Sequence, residues 1–210
     1  MRTGAKIWRG ALIFFAVMTA LGALRYALPH VPFPAPLPNF FTRRITLSVH
    51  ASLGAIACLL GPWQFVESLR TRHVRLHRWI GWSYASAVAA SWIASVPLAL
   101  HAQTGAWASA GFFGLGAFWI VCTTMAVTAV ALRKDFEAHG RWMIRSYGLT
   151  AAAITLRIYL PISLAMHWRY DIAYPAIAWL CWVPNLIGVE IYLRTRTGSN
   201  RGVVHAGAAS

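Results

Sequence analysis

Apolar residues in this chain run in blocks long enough to cross a bilayer, and polar residues are confined to the short intervals between them. A helix needs about 20 consecutive apolar residues to traverse the hydrocarbon core. Six such blocks occur, at 7–27, 45–66, 79–100, 107–132, 143–166 and 173–193. In lipid only helices and closed barrels satisfy every backbone N–H and C=O. Blocks of this length predict an all-α, polytopic membrane protein of six transmembrane helices, with no length left for a soluble domain.

The blocks are not independent. An offset of 63 residues superimposes Leu69 on Leu132, Arg70 on Arg133, Arg78 on Arg141, Trp79 on Trp142, Ser83 on Ser146 and Tyr84 on Tyr147 without a gap. Each copy is a basic loop that passes through a histidine, His77 or His139, into an apolar helix. A duplicated two-helix unit is the simplest source of such a pattern. The expected organisation has three parts. Residues 1–44 form an accessory first helix and a Pro-rich outer loop, with Pro29, Pro32, Pro34, Pro36 and Pro38 favouring an extended strap. Residues 45–193 form a five-helix membrane domain whose duplicated four-helix bundle is closed by a sixth span, and residues 194–210 form a basic polar tail. Pro97 and Pro161, near the outer ends of the third and fifth spans, are expected to kink or end those helices.

Charge orients the unit. Of the 19 lysines and arginines, fourteen flank one side (at the amino terminus, in the 67–78 and 133–145 loops, and in the tail). Arg25, Arg43, Arg44 and Arg169 flank the other, and Arg157 lies inside a span. Short loops rich in Lys and Arg remain cytoplasmic, which places both termini on the cytoplasmic side. The net charge of +14 is explained by these loops and implies attraction to anionic lipid. No recognition module accompanies it, so nucleic acid is not an expected partner. The first span has the basic start of a signal peptide, but Arg25 and Tyr26 stand where small cleavage-site residues belong, and an uncleaved helix is expected. Cys58, Cys122 and Cys181 each fall within a span and fit neither a disulfide framework nor a zinc pattern, so they are read as small apolar residues.

Polar groups inside spans are costly and mark candidate sites. They are His50, Gln64, Arg157, Asn185 and Glu190, with His77 and His139 at inner helix starts. No HExxH helix, GxSxG elbow, P-loop or dinucleotide fingerprint is present. One reading takes His77 and His139 as axial ligands of a single haem b for transmembrane electron transfer. Trp79, Trp82, Trp142 and Tyr147 would supply its walls, and membrane-edge arginines would pair with its propionates. The histidines are one residue out of repeat register, since His77 aligns with Gly140. Beside this stands a non-redox reading, a transporter, assembly factor or structural subunit in which the same residues are interfacial belt or packing contacts. An inner metal site from His77, His139 and Glu67 or Glu190 matches no known ligand spacing. His50 has no diagonal histidine for a second haem, because its repeat equivalent is Phe113; it either hydrogen-bonds within the bundle or meets a quinone-like ligand. Arg157 lies too deep to reach either surface easily. It is expected to face the bundle, with Asn185 its leading partner or a backbone carbonyl the alternative, or to bind an anionic ligand or propionate.

The strings SVHASLGAIACLLGPWQFVESLRTRHVRLHRWIGWSY, HGRWMIRSYGLTAAAITLRIYLP and WVPNLIGVEIY resemble a bacterial family of predicted membrane proteins, the domain of unknown function DUF2306, over most of 45–193. The resemblance implies that His50, Gln64, His77, His139, Arg157, Asn185 and Glu190 stand at the family's motif positions. It implies no activity. A looser likeness is to four-helix transmembrane b-type cytochromes, which place histidine pairs on diagonal helices. The fourth span here carries no histidine, so that likeness implies at most one haem.

Overall fold

The computed structural model describes residues 2–27 and 43–207, with side chains over 10–23 and 43–196. Every element among them is helical. Helix α1 spans Arg2–Ala27 and α2 spans Arg44–Leu60, which tightens into a 3₁₀ turn over Gly61–Phe65. A short α3, Glu67–Thr71, leads to α4, Val74–Leu100, and then α5, Ala106–Ala131. Two interrupted pairs follow: α6, Phe136–Thr150, with α7, Ala152–Ala165; and α8, Tyr170–Leu180, with α9, Val183–Gly207. The Pro-rich strap lies, apart from Arg43 and Arg44, outside the described residues.

Five segments are long and apolar enough to cross a membrane: Arg44–Phe65, Val74–Leu100, Ala106–Ala131, Phe136–Ala165 and Tyr170–Arg196. They correspond to the last five blocks of the sequence. Helix α1 contributes an apolar stretch whose described side chains run over Gly10–Ala23. The helices overrun the blocks at their basic ends. Helix α4 starts five residues before the block at 79, and α6 starts seven before the block at 143, so both His77 and His139 lie inside helices. The start of α6 is fixed by Asp135, whose carboxylate accepts the Ala138 N–H at 2.8 Å. That cap satisfies an otherwise orphaned first-turn donor. Helix α9 continues through residues 194–207, so the segment set apart as a polar tail is largely an extension of the last helix.

Neither Pro97 nor Pro161 ends its helix: α4 runs on to Leu100 and α7 to Ala165. The interruptions fall elsewhere. One is at Ala151, one residue after Thr150, whose hydroxyl donates back to the Ser146 carbonyl at 3.0 Å. Such i−4 bonding bends helices. The other is at Cys181–Trp182, ahead of Pro184, which cannot donate an N–H to the turn before it.

Helix α2 packs on α4, α4 on α5, α5 on α6, and α6 touches α2 again. Helix α1 lies against α2 and α7, while α8 and α9 cover α5 and α6. The interior is built from small residues, with Ala57, Ala87, Ala126, Ala152 and Cys181 buried around Tyr84, Val88 and Leu149. Large apolar side chains such as Phe14, Ile93, Phe118, Val121 and Leu164 face outward. Small residues let helices approach closely where lipid, not water, lies outside. Gly111 meets Ala178 and Trp179, and Gly116 meets Trp92. All three cysteines are buried and free, as expected of small apolar residues.

Candidate functional site

The core is tied by hydroxyl groups. Tyr84 Oη on α4 lies 2.7 Å from Ser146 Oγ and 2.8 Å from Thr150 Oγ1, both on α6. From α5, Thr123 Oγ1 lies 2.7 Å from Ser146 Oγ, and the Trp119 indole N–H donates to Thr150 Oγ1 at 2.8 Å. All five side chains are buried. Every member has a partner, the condition under which a buried polar network rigidifies a core. The sequence reading passed over these residues, although Tyr84 and Ser146 stood inside the repeat. Their neighbour Tyr147, the repeat mate of Tyr84, does something different: its hydroxyl donates to the Cys58 carbonyl at 3.3 Å.

This network also sets the register of the histidines. His77 precedes Tyr84 by seven residues and His139 precedes Ser146 by seven, two helical turns and about 10 Å of rise in each case. Since Tyr84 and Ser146 meet face to face, the two histidines share that face toward the basic end. The helices pair at an offset of 62 rather than the repeat offset of 63, which is the single residue by which the histidines looked misaligned. Arg70 and Arg78 lie near enough to His77 to act on it electrostatically. His139 Nδ1 lies 2.9 Å from the Ala126 carbonyl. A carbonyl only accepts, so Nδ1 carries a proton, and in the neutral ring Nε2 is the nitrogen with the free lone pair. His77 Nδ1 is buried with no hydrogen-bond partner among the described residues, and so is the Nε2 amide of Gln64. Gln64 is 5 % exposed and its Oε1 lies 3.2 Å from where a Cβ on Gly81 would stand, one turn beyond His77 on the same face. Two orphaned polar atoms against one face of α4 mark the least satisfied place among the described residues.

The tryptophans divide. Trp79 and Trp82 are 75 % and 58 % exposed and face outward, so they do not wall a site between the histidines. Trp79 follows His77 by two residues, about 200° round the helix. Trp142 and the buried Met143, one turn beyond His139, stand nearer that face, and Tyr147 packs edge-on against Phe65.

At the other end, His50 and Ser91 bind each other reciprocally. The Ser91 hydroxyl donates to the His50 carbonyl at 3.0 Å, and His50 Nδ1 lies 3.1 Å from the Ser91 carbonyl. Ser91 is seven residues beyond Tyr84, so His77, Tyr84 and Ser91 form one polar stripe along α4. Arg157 departs from expectation in its partner. Its guanidinium donates to the Ala153 carbonyl at 3.0 Å and lies beside Gly22 of α1. Asn185 binds Thr155 Oγ1 and the Cys181 carbonyl, each at 3.1 Å. Thr155 and Arg157 are two residues apart, so the residue that faces α9 cannot be the one that faces α1. The backbone-carbonyl alternative is the one realised. Glu190 forks onto Arg145, with Nε–Oε1 at 2.5 Å and Nη2–Oε2 at 2.9 Å, and the Arg145 guanidinium stacks over Trp142. That pairing occupies Glu190, one of the two carboxylates proposed for an inner metal site. Among the described residues no group of three or more His, Cys, Asp and Glu is placed to hold a metal ion. Arg145 was not singled out from sequence; in a chain with five acidic residues, Glu190 near a span end was the signal that some cation must meet it.

Lipid-length apolar helices with a small-residue interior and an internally bonded polar core define a multi-pass helical membrane protein. The family model for the predicted membrane proteins DUF2306 matches residues 47–193, and the chain belongs to that family. No curated protein and no solved structure matches it.

Proposed function

We propose that the protein is a six-span, duplicated four-helix electron carrier of the bacterial cytoplasmic membrane, with both termini inside and one haem b between His77 and His139. The observation that carries this reading is the register just described, which turns both histidines to one face of the core from facing helices. The donor set fits a bis-histidine group: two imidazoles, one with its Nδ1 proton already fixed on the Ala126 carbonyl. Fixing that proton orients the ring and leaves Nε2 as the ligand atom. When bound, such a group supplies one-electron transfer. The chain's own residues do the rest. Arg70 brings positive charge to His77 for pairing with a propionate. The Tyr84–Ser146–Thr150 network closes the core above the pair and ties α4 to α6.

A non-redox role is favoured by one observation, the complete internal pairing of His50 with Ser91, Asn185 with Thr155 and Arg145 with Glu190. That pattern suits a structural subunit whose polar residues are packing contacts. An absorption spectrum of detergent-purified protein separates the two. The expected result is a Soret band that disappears in His77→Ala and in His139→Ala while helical content is kept. Colourless, folded wild type supplied with haem during expression refutes the carrier reading.

A further inference from the structure

The two repeat copies each place two arginines and tryptophan on one helix stripe, identical at Arg78/Arg141 and Trp79/Trp142, and only the second copy is neutralised from within. On α6 the stripe is Ala138, Arg141, Trp142 and Arg145. Arg141 pairs with Glu137 one turn earlier, and Arg145 is forked by Glu190 while it covers the Trp142 ring. The positions 63 residues earlier on α4 are Arg75, Arg78, Trp79 and Trp82. There the counterpart of Glu137 is Val74, and among the described residues no carboxylate takes the place of Glu190. The chain has five acidic residues in all: Glu67, Asp135, Glu137, Asp171 and Glu190. Three are paired with Arg141, Arg145 and Arg169, and Asp135 caps α6. Glu67 alone is left for the remaining cations of the basic end. A groove of about 230 Å³ opens beside Arg75, Arg78, Trp79 and Trp82, on the side of α4 turned away from the core.

We propose that this groove binds the phosphodiester headgroup of an anionic phospholipid, which supplies at the first copy the negative charge that Glu137 and Glu190 supply at the second. Arg75 and Arg78, one turn apart, present guanidinium forks suited to phosphate oxygens. Trp79 and Trp82 lie on the same stripe and extend toward the membrane interior. Indole rings favour this interfacial level and give an acyl chain a flat apolar surface. A lipid is the occupant because the site joins cations to exposed aromatic surface in that order along the helix. A free anion would use the cations and leave the indoles bare. The inference does not depend on the haem reading, since the stripe faces away from His77.

The test is native mass spectrometry of the protein released from nanodiscs containing equal phosphatidylglycerol and phosphatidylcholine. Wild type is expected to retain phosphatidylglycerol selectively. Arg75→Gln/Arg78→Gln is expected to weaken that retention about thirtyfold, each arginine near an anionic lipid contributing about a factor of five. Arg133→Gln/Lys134→Gln removes equal charge from the other loop and should change retention much less. Arg75→Lys/Arg78→Lys keeps the charge and should retain more lipid than the glutamine variant, which separates loss of ligand from loss of fold. Trp79→Ala/Trp82→Ala is expected to weaken retention without removing charge. Equal losses in the two glutamine variants, or equal retention of the two lipids by wild type, overturn the site. Displacement of the lipid by inorganic phosphate at matched concentration overturns the lipid as its occupant.

Discussion

Gly61→Ala sets two effects of opposite sign against each other. Gly61 has φ −58° and ψ −48°, an ordinary helical conformation, so on propensity alone alanine should stabilise by up to about 1 kcal/mol. Packing says otherwise. A Cβ on Gly61 would stand 2.1 Å from both Cδ2 and Cε2 of Tyr147, far inside van der Waals contact. The ring is 6 % exposed, is held by Phe65 at its edge and donates to the Cys58 carbonyl, so it has no free direction in which to move. Overpacking costs about 1–3 kcal/mol, and displacing the hydroxyl forfeits a hydrogen bond of about 0.6 kcal/mol in a membrane protein. The net expectation is destabilisation by about 1–3 kcal/mol. Reversible unfolding in mixed micelles, followed by circular dichroism, measures it. In a Tyr147→Ala background the clash is gone and Gly61→Ala should turn neutral or stabilising. A wild-type-like or raised stability of Gly61→Ala alone would refute the close contact between α2 and α6.

Two further outcomes test the core. Tyr84→Phe removes two side-chain hydrogen bonds but leaves Ser146 bonded to Thr123 and Thr150 to Trp119; at about 0.6 kcal/mol each the same unfolding assay should show a loss near 1 kcal/mol, and a much larger loss would mean that the network does more than join helices. Arg157→Leu and Asn185→Leu should be additive within about 0.5 kcal/mol, whereas Thr155→Val and Asn185→Leu should be coupled, and coupling between Arg157 and Asn185 in the cycle would contradict the opposed directions of Thr155 and Arg157.

Much of the helical architecture was legible because lipid leaves a chain few choices. Apolar blocks of span length must be helical, and the five in 44–196 are. The ends were less legible, since α4 and α6 start among arginines, where Asp135 and solvent-accessible basic side chains let a helix outrun its apolar block. Within the site, facing directions could be read wherever 3.6-residue geometry alone decides: Trp79 cannot share a face with His77. Partner identity could not. Arg157 and Asn185 lie at similar depth, and depth suggested a pair, but depth says nothing about which side of α7 meets α9. The hydroxyl network escaped notice because Ser, Thr and Tyr are individually unremarkable in a span, and only their convergence from α4, α5 and α6 makes them a centre.

By itself the sequence determined that this is an all-helical membrane protein and which stretches are long and apolar enough to cross a bilayer, and it carries the 63-residue offset that reads as a duplicated two-helix unit. Each of these follows from local quantities: block length, loop charge and a fixed offset. Tertiary structure decided which copies of the repeat became different. Tyr84 reaches Ser146 while its mate Tyr147 reaches Cys58, and Glu190 neutralises the second stripe while the first stays open. Those choices depend on the rotation of one helix against another, which the hydrophobic pattern leaves free. In lipid, that rotation is set by where small residues allow close approach and where buried hydroxyls find partners.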